Sequence, residues 1–177
     1  LRLWREALGD GDNVARAYSI VWGCVAVAFT FLAARRSFGT APAALGAMAM
    51  ALASTQLHLA GEIRGYSMLT GLGAVLLWLL AGIDRDGSSP RRTIGVALVM
   101  LAMMLTHYFA FFFCSAAMLH LMLQLRGRSR WRMLAAVAAA GLVYLAIWGP
   151  FFREQLTHVR NETDAWLIDT EMPHAER

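Results

Sequence analysis

Long apolar runs alternate with short polar islands along nearly the whole chain. Most runs have roughly the 17 to 25 residues that a helix needs to cross a bilayer. In hydrocarbon every backbone N–H and C=O must be paired, and these runs lack the period-two alternation of barrel strands. The pattern therefore predicts an all-α fold, a polytopic transmembrane bundle of about six spans.

Polar turns and prolines mark the ends of the predicted spans. Gly149 and Pro150 are expected to stop the last one, because proline lacks the N–H that continues a helix. The six predicted transmembrane spans cover residues 18–34, 42–60, 66–83, 93–105, 109–125 and 133–148. The predicted regions are an outer juxtamembrane segment at 1–17, a transmembrane bundle at 18–150 and an outer polar tail at 151–177.

The stretch from Thr93 to Leu125 is too long for one membrane helix. At 1.5 Å per residue it would extend roughly 50 Å, against a hydrocarbon core of about 30 Å. Dividing it at Thr106, His107 and Tyr108 gives two shorter helices and moves this polar triplet to a membrane surface. We therefore predict a break at these three residues.

Charge bias supports this division and gives an orientation. With six spans, the loops on one side net +7 and those on the other side net −3. The positive-inside rule assigns the Arg-rich side to the cytoplasm. Both ends of the chain are then expected on the non-cytoplasmic side of a cell inner (plasma) membrane. One undivided helix would move the Arg126 to Arg132 cluster outside, and most of the bias would vanish.

The amino-acid composition agrees with a membrane protein. Hydrophobic residues make up 58% of the 177 positions and charged residues 16%, against about 25% charged in ordinary soluble domains. All basic residues are Arg, a compositional bias, so the pI of 9.7 does not lead us to expect a nucleic-acid partner. Cys24 and Cys114 lack metal-ligand spacing and are interpreted as small buried apolar residues. Since the chain opens with Leu1, we expect an N-terminally truncated fragment.

Ionisable and aromatic side chains gather on the predicted outer face. Such groups are costly in lipid, which makes those at span ends candidates for function. An Arg can stabilise the charge left on phosphate when a sugar–phosphate bond breaks, and a carboxylate or His can take the proton of an attacking hydroxyl. A local ion pair in the outer turn, or a simple polar break between helices, would explain the same residues. The candidates are Glu62 and His107 for catalysis, and Arg64, Tyr66, Arg16 and Tyr108 for substrate binding.

Five short motifs, taken in order, resemble a known family. They are Ala15-Arg16-Ala17-Tyr18-Ser19, Arg35-Arg36-Ser37-Phe38-Gly39, Gly61-Glu62-Ile63-Arg64-Gly65-Tyr66, Thr106-His107-Tyr108-Phe109 and Trp148-Gly149-Pro150-Phe151-Phe152. In this order and on this topology, the sequence resembles the bacterial protein O-mannosyltransferase and aminoarabinose-transferase superfamily over nearly its whole length. The resemblance implies the helical membrane fold of C-type (GT-C) glycosyltransferases.

The resemblance also implies an activity and roles for single residues. It implies a membrane glycosyltransferase that moves a sugar from a polyprenyl-phosphate-type donor to an acceptor at the outer face, with membrane lipid around it. The family's acidic base lies in the first outer loop, most of which would precede Leu1, with Asp10 and Asp12 near its end. By the same resemblance, Glu62 would orient the acceptor or a divalent metal ion, and Arg64 would neutralise the donor phosphate.

Two other classes of membrane protein remain open from the sequence. A transporter or flippase without transferase activity would use the same outer charges to line a substrate path. Inverted repeats and helices broken at mid-depth would favour it. A purely structural membrane subunit is the second alternative.

Overall fold

The computed structural model describes residues 2–9, 11–61 and 65–171. These residues form eight α-helices and no strand, which confirms the all-α membrane bundle. The chain divides into two compact units, Leu1–Ala140 and Gly141–Arg177. The helices are α1 (Arg2–Leu8), α2 (Asp12–Phe38), α3 (Thr40–Leu52), α4 (Ser54–Gly61), α5 (Tyr66–Asp86), α6 (Pro90–Thr106), α7 (Ala110–Gln124) and α8 (Gly127–Glu171).

Length and apolar composition separate the helices into two groups. Among the described residues, three helical segments are long and apolar enough to cross a membrane, namely α2, α5 and the Gly127–Glu154 part of α8. The helices α3 and α7 are apolar but shorter. The chain is therefore a multi-pass membrane protein, and the full set of six spans remains a prediction.

The predicted second span, residues 42–60, is two helices and not one. Ala53 has an extended backbone (φ −61°, ψ 127°) between α3 and α4. Its carbonyl accepts a hydrogen bond from the N–H of Leu57, at 3.0 Å, in the first turn of α4. Ser54 and Thr55 follow at once, and hydroxyl side chains compete with helical hydrogen bonds and favour helix starts. One continuous helix was therefore the wrong prediction here.

The prediction that Gly149 and Pro150 end the last helix is also wrong. α8 runs through Pro150 to Glu171, so most of the predicted polar tail is helical. A proline disfavours helical backbone at the preceding residue, because its Cδ crowds that residue's N–H and Cβ. Gly149 has no Cβ, so part of this crowding is absent, and the N–H that Pro150 lacks removes one helical hydrogen bond without ending the helix. Residues 172–177 of the tail lie outside the described residues.

The predicted break in the fourth and fifth spans is confirmed. α6 ends at Thr106 and α7 begins at Ala110. Sγ of Cys114 lies 3.9 Å from the carbonyl oxygen of Met100, so α7 returns alongside α6. The two helices therefore form an antiparallel hairpin.

The α2–α5 pair forms the centre of unit Leu1–Ala140 and depends on small residues. In membranes, small side chains let helix backbones approach closely. A Cβ built on Gly71 would lie 2.6 Å from Cε3 and 3.0 Å from the carbonyl oxygen of Trp22, so only glycine fits at this crossing. The small buried residues on the two helices are Ala15, Ser19, Gly23 and Ala26 on α2, and Ser67, Gly71 and Ala74 on α5.

Polar contacts mark two opposite ends of the α2–α5 pair. At one end, the hydroxyl of Tyr18 donates to Sδ of Met68 at 2.7 Å. At the other, Nη1 of Arg36 donates to the carbonyl of Trp78 at 3.0 Å. The two helices therefore run parallel. We call these the His107 end, after the break that lies beside Met68, and the Arg36 end.

Candidate active site

His107 holds the break between α6 and α7 with its backbone and its ring. Its N–H donates to the carbonyl of Met103 at 3.1 Å, and its own carbonyl accepts from the N–H of Ala110 at 3.0 Å. Its ring Nδ1 accepts from the N–H of Phe109 at 3.2 Å. These bonds satisfy backbone groups that a helix end would leave unpaired, and that lipid could not satisfy.

The hydrogen bond to Nδ1 also fixes the chemistry of the imidazole. A neutral histidine ring has one N–H and one acceptor nitrogen. Since Nδ1 of His107 accepts, the proton of the neutral ring is on Nε2. The neutral ring therefore presents its Nε2–H as a hydrogen-bond donor, while the lone pair on Nδ1 is already engaged.

Four rings surround the break as an aromatic cluster of Tyr66, His107, Tyr108 and Phe109. The His107 ring lies 5.0 Å from that of Tyr66, 4.4 Å from that of Tyr108 and 5.3 Å from that of Phe109. Tyr108 is 66% exposed, while Tyr66 and His107 are half-buried. The structure thus brings together three of the six predicted site residues, from α5 and from the break.

A glycine allows the start of α5 to approach the break. A Cβ built on Gly65 would lie 3.3 Å from Cγ2 of Thr106, which is tighter than ordinary van der Waals contact. The hydroxyl of Thr106 donates to the carbonyl of Ala102 at 2.7 Å and lies 3.7 Å from Sδ of Met68. The approach sets Tyr66 directly against His107.

Of the three remaining predicted residues, the structure describes only Arg16. Glu62 and Arg64 lie outside the described residues. Arg16 is exposed, on the same end of α2 as Tyr18. No ring contact, ion pair or hydrogen bond joins Arg16 to the predicted site residues for which the structure gives positions.

Sequence reasoning missed two residues at this end. Met68 bridges α2 and α6 through its contacts with Tyr18 and Thr106. Trp4 fastens α1 to α2, because its Nε1–H donates to the carbonyl of Val14 at 2.8 Å and its ring packs edge-on to Tyr18 at 5.6 Å. A methionine in an apolar run gives no signal of such a role, although a Trp in an amphipathic segment does mark an anchor.

The described residues offer no grouping for a metal ion. Within them, no set of three or more His, Cys, Asp and Glu side chains is arranged to hold one. The aromatic cluster at the His107 end offers a ring N–H, two phenol groups and a set of aromatic faces.

The sequence matches one known family model over most of its length. Residues 1–152 match the model described as dolichyl-phosphate-mannose-protein mannosyltransferase. No match was found among curated proteins or among solved structures. The matched range includes α1 to α7, the aromatic cluster and the start of α8. The chain therefore belongs to the dolichyl-phosphate-mannose-protein mannosyltransferase family, and it is a membrane glycosyltransferase of the mannosyltransferase type.

Proposed function

We propose that the protein transfers a sugar from a polyprenyl-phosphate donor to an acceptor at the outer face of the cytoplasmic membrane, with its site at the His107 end. The observation that carries the proposal is the 5.0 Å contact between the rings of Tyr66 and His107. It joins Tyr66, the first residue of α5, to the break between α6 and α7. In the proposal, this contact lies at the outer membrane surface.

The arrangement of helix ends supports this orientation. The ends of α2 and α5 carry Arg35, Arg36 and Arg85, and the start of α6 carries Arg91 and Arg92. Basic residues of this kind favour the cytoplasmic side. The His107 end would then face outward, with both chain ends on the non-cytoplasmic side.

In the proposed reaction, an acceptor hydroxyl attacks the anomeric carbon of the donor sugar. The bond from that carbon to the phosphate oxygen breaks, polyprenyl phosphate leaves with the electron pair, and a carboxylate takes the hydroxyl proton. Glu62, or an acidic residue upstream, is the proposed acceptor of that proton. A carboxylate within hydrogen-bond reach is the usual base for such a step.

We assign His107 the role of a hydrogen-bond donor, and not the role of a base that the sequence suggested. Since Nδ1 is engaged with the Phe109 N–H, the neutral ring offers Nε2–H as a donor. A fixed donor stabilises the negative charge that develops on the leaving phosphate. Arg64 and Arg16 are proposed to pair with other phosphate oxygens, since a guanidinium matches two of them at once.

Tyr66 and Tyr108 are proposed to bind the sugar. Their rings lie close to that of His107, and Tyr108 is 66% exposed. Aromatic side chains present an apolar face and a polar tip, which suits the mixed surface of a sugar ring. The lipid tail of the donor would lie in the surrounding bilayer.

Two substitutions of His107 test this assignment. Glutamine keeps an N–H near the position of Nε2, whereas phenylalanine keeps the ring stacking but has no donor. We expect His107→Phe to lower kcat on the order of a hundredfold, and His107→Gln to retain most of the rate. The assay is transfer of labelled sugar from a polyprenyl phosphate donor by the full-length protein in proteoliposomes.

Control variants and outcomes distinguish a hydrogen-bond-donating His107 from the alternative roles. His120→Gln changes a histidine at the opposite end and should leave transfer unchanged. Equal losses in His107→Phe and His107→Gln would favour a proton-accepting His107 over a donor. Full transfer in both variants would remove His107 from the site. Movement of donor lipid across the membrane with no sugar transfer would favour a flippase.

A further inference from the structure

Two guanidinium groups converge over the bare backbone of Gly82 at the Arg36 end. A Cβ built on Gly82 would lie 2.5 Å from Nη1 of Arg36 and 3.3 Å from Nε of Arg92. Both nitrogens therefore occupy the small space beside one Cα of α5, where any side chain would displace them. Like charges this close repel, so the pair is stable only with negative charge nearby.

The described residues supply only part of that negative charge. Arg92 forms an ion pair with Asp86 through Nη2, and its Nη1 donates to the carbonyl of Gly87 at 2.9 Å. Arg36 lies over the ring of Trp78, with Cζ 4.4 Å from the ring centroid. Among the residues that the structure describes, no carboxylate forms an ion pair with Arg36.

The other carboxylate nearby is already engaged. Asp84 faces Nε2 of His120, with its two oxygens at 3.0 and 3.1 Å. Arg85 approaches Asp86 only at 4.0 Å and its side chain is 66% exposed. Of the two converging guanidinium groups, only that of Arg92 has a carboxylate partner among the described residues, which leaves the space over Gly82 with an excess of positive charge.

We propose that Arg36 and Arg92 bind the phosphate of an anionic phospholipid. A guanidinium matches phosphate oxygens with two parallel N–H bonds, so two such groups can hold one phosphate from both sides. Both side chains are partly buried, Arg92 being 26% exposed, so solvent screens them less than free surface charges. Basic pockets between membrane helices on the cytoplasmic side are a common form of headgroup site.

The apolar surface beside Arg36 favours a lipid over free phosphate. Leu32 lies one turn before Arg36 on the same face of α2 and is 36% exposed, and the ring of Trp78 lies beneath the guanidinium. Acyl chains would lie on this surface while the phosphate reaches the guanidinium groups. On the orientation proposed above, the lipid belongs to the cytoplasmic leaflet. The site is at the opposite end of the bundle from the aromatic cluster, so its failure would leave the transferase proposal standing.

Native mass spectrometry of the purified full-length protein tests this site. The protein is titrated with phosphatidylglycerol and, separately, with phosphatidylcholine. We expect it to bind one phosphatidylglycerol molecule in preference to phosphatidylcholine. Arg92→Gln and Gly82→Ala should each weaken that binding about tenfold or more, since each removes a charge-assisted contact. Gly82→Ala leaves the net charge of the protein unchanged. Its methyl group only displaces the flexible end of Arg36.

Matched controls separate the site from diffuse charge and from misfolding. Gly46→Ala adds a methyl group where nothing lies within 4 Å, and Arg126→Gln removes an exposed charge from the same predicted face. Both should bind like the wild type. Arg36→Lys keeps the charge but loses the planar fork, and should bind less tightly while unfolding at the wild-type temperature.

Three results would overturn the proposal. Unchanged binding in Arg92→Gln and Gly82→Ala would exclude these residues as the site. Equal weakening in Arg126→Gln would mean a general attraction of anionic lipid to the basic face. If inorganic phosphate bound as tightly as phosphatidylglycerol, the lipid tails would add nothing and the ligand would be free phosphate.

Discussion

Replacing Gly71 with alanine tests the close crossing of α2 and α5. The new Cβ would lie 2.6 Å from Cε3 of Trp22 and 3.0 Å from its carbonyl oxygen. The Trp22 ring could rotate, but the carbonyl belongs to the backbone of α2 and moves only with that helix. The substitution therefore forces the two helices apart over their small-residue interface.

The expected cost follows from two opposing effects. Overpacking a well-packed interface costs about 1 to 3 kcal/mol, whereas alanine is favoured over glycine inside a helix by about 1 kcal/mol. We expect Gly71→Ala to lower the free energy of unfolding by up to about 2 kcal/mol. Gly73→Ala is the matched control, because its Cβ would lie 4.0 Å from Cε of Met103, an ordinary contact.

Reversible unfolding in mixed micelles, followed by circular dichroism, measures this difference. Gly73→Ala should be neutral or slightly stabilising, so the two variants should differ by about 1 to 3 kcal/mol. Equal stabilities for the two variants would refute the close crossing. A Gly71→Ala protein more stable than the wild type would refute it as well, since helix propensity would then outweigh the contact with Trp22.

Three further predictions concern topology, chemistry and packing. Single cysteines at Ser129 and Thr163, in a background without native cysteines, should react with an impermeant reagent from opposite sides; same-side labelling would break the six-span arrangement. Arg64→Ala should abolish sugar transfer but not membrane insertion, since the donor phosphate loses its guanidinium; undiminished transfer would exclude Arg64. His120→Ala should cost less than about 1 kcal/mol of unfolding free energy, since its pair with Asp84 is 38% exposed on both sides; calorimetry showing several times that cost would indicate a buried network.

The sequence predicted the helix boundaries best where length and polarity gave the same indication. The stretch from Thr93 to Leu125 was too long for one span and contained one polar triplet, so its division could be located at His107. The break at Ala53 is also followed by polar residues, Ser54 and Thr55, but the run around it has ordinary span length, so nothing in the length required a division. The Pro150 prediction failed because the missing N–H of a proline removes one helical hydrogen bond but does not have to end the helix.

The candidate site was predictable in part for similar reasons. Placing polar breaks at span ends on one topology put Tyr66 and His107 at the same surface, and their rings are in contact. The bond from the Phe109 N–H to Nδ1, which decides what His107 can do, depends on a backbone turn that the sequence does not specify. The role of Met68 depends on how three helices meet, and periodicity within one helix carries no information on that.

On the predicted six-span arrangement, the α6–α7 hairpin is short for the membrane that it would cross. Its helices have 17 and 15 residues, so each rises only about 22 to 26 Å, against a hydrocarbon core of about 30 Å. Beside a short hydrophobic helix the bilayer becomes thinner, and headgroups and water come closer to its centre. His107 would then lie at the bottom of a dimple in the bilayer surface. A sugar tethered to a long isoprenoid tail enters such a dimple without leaving the lipid, whereas an acceptor in water must reach down to it.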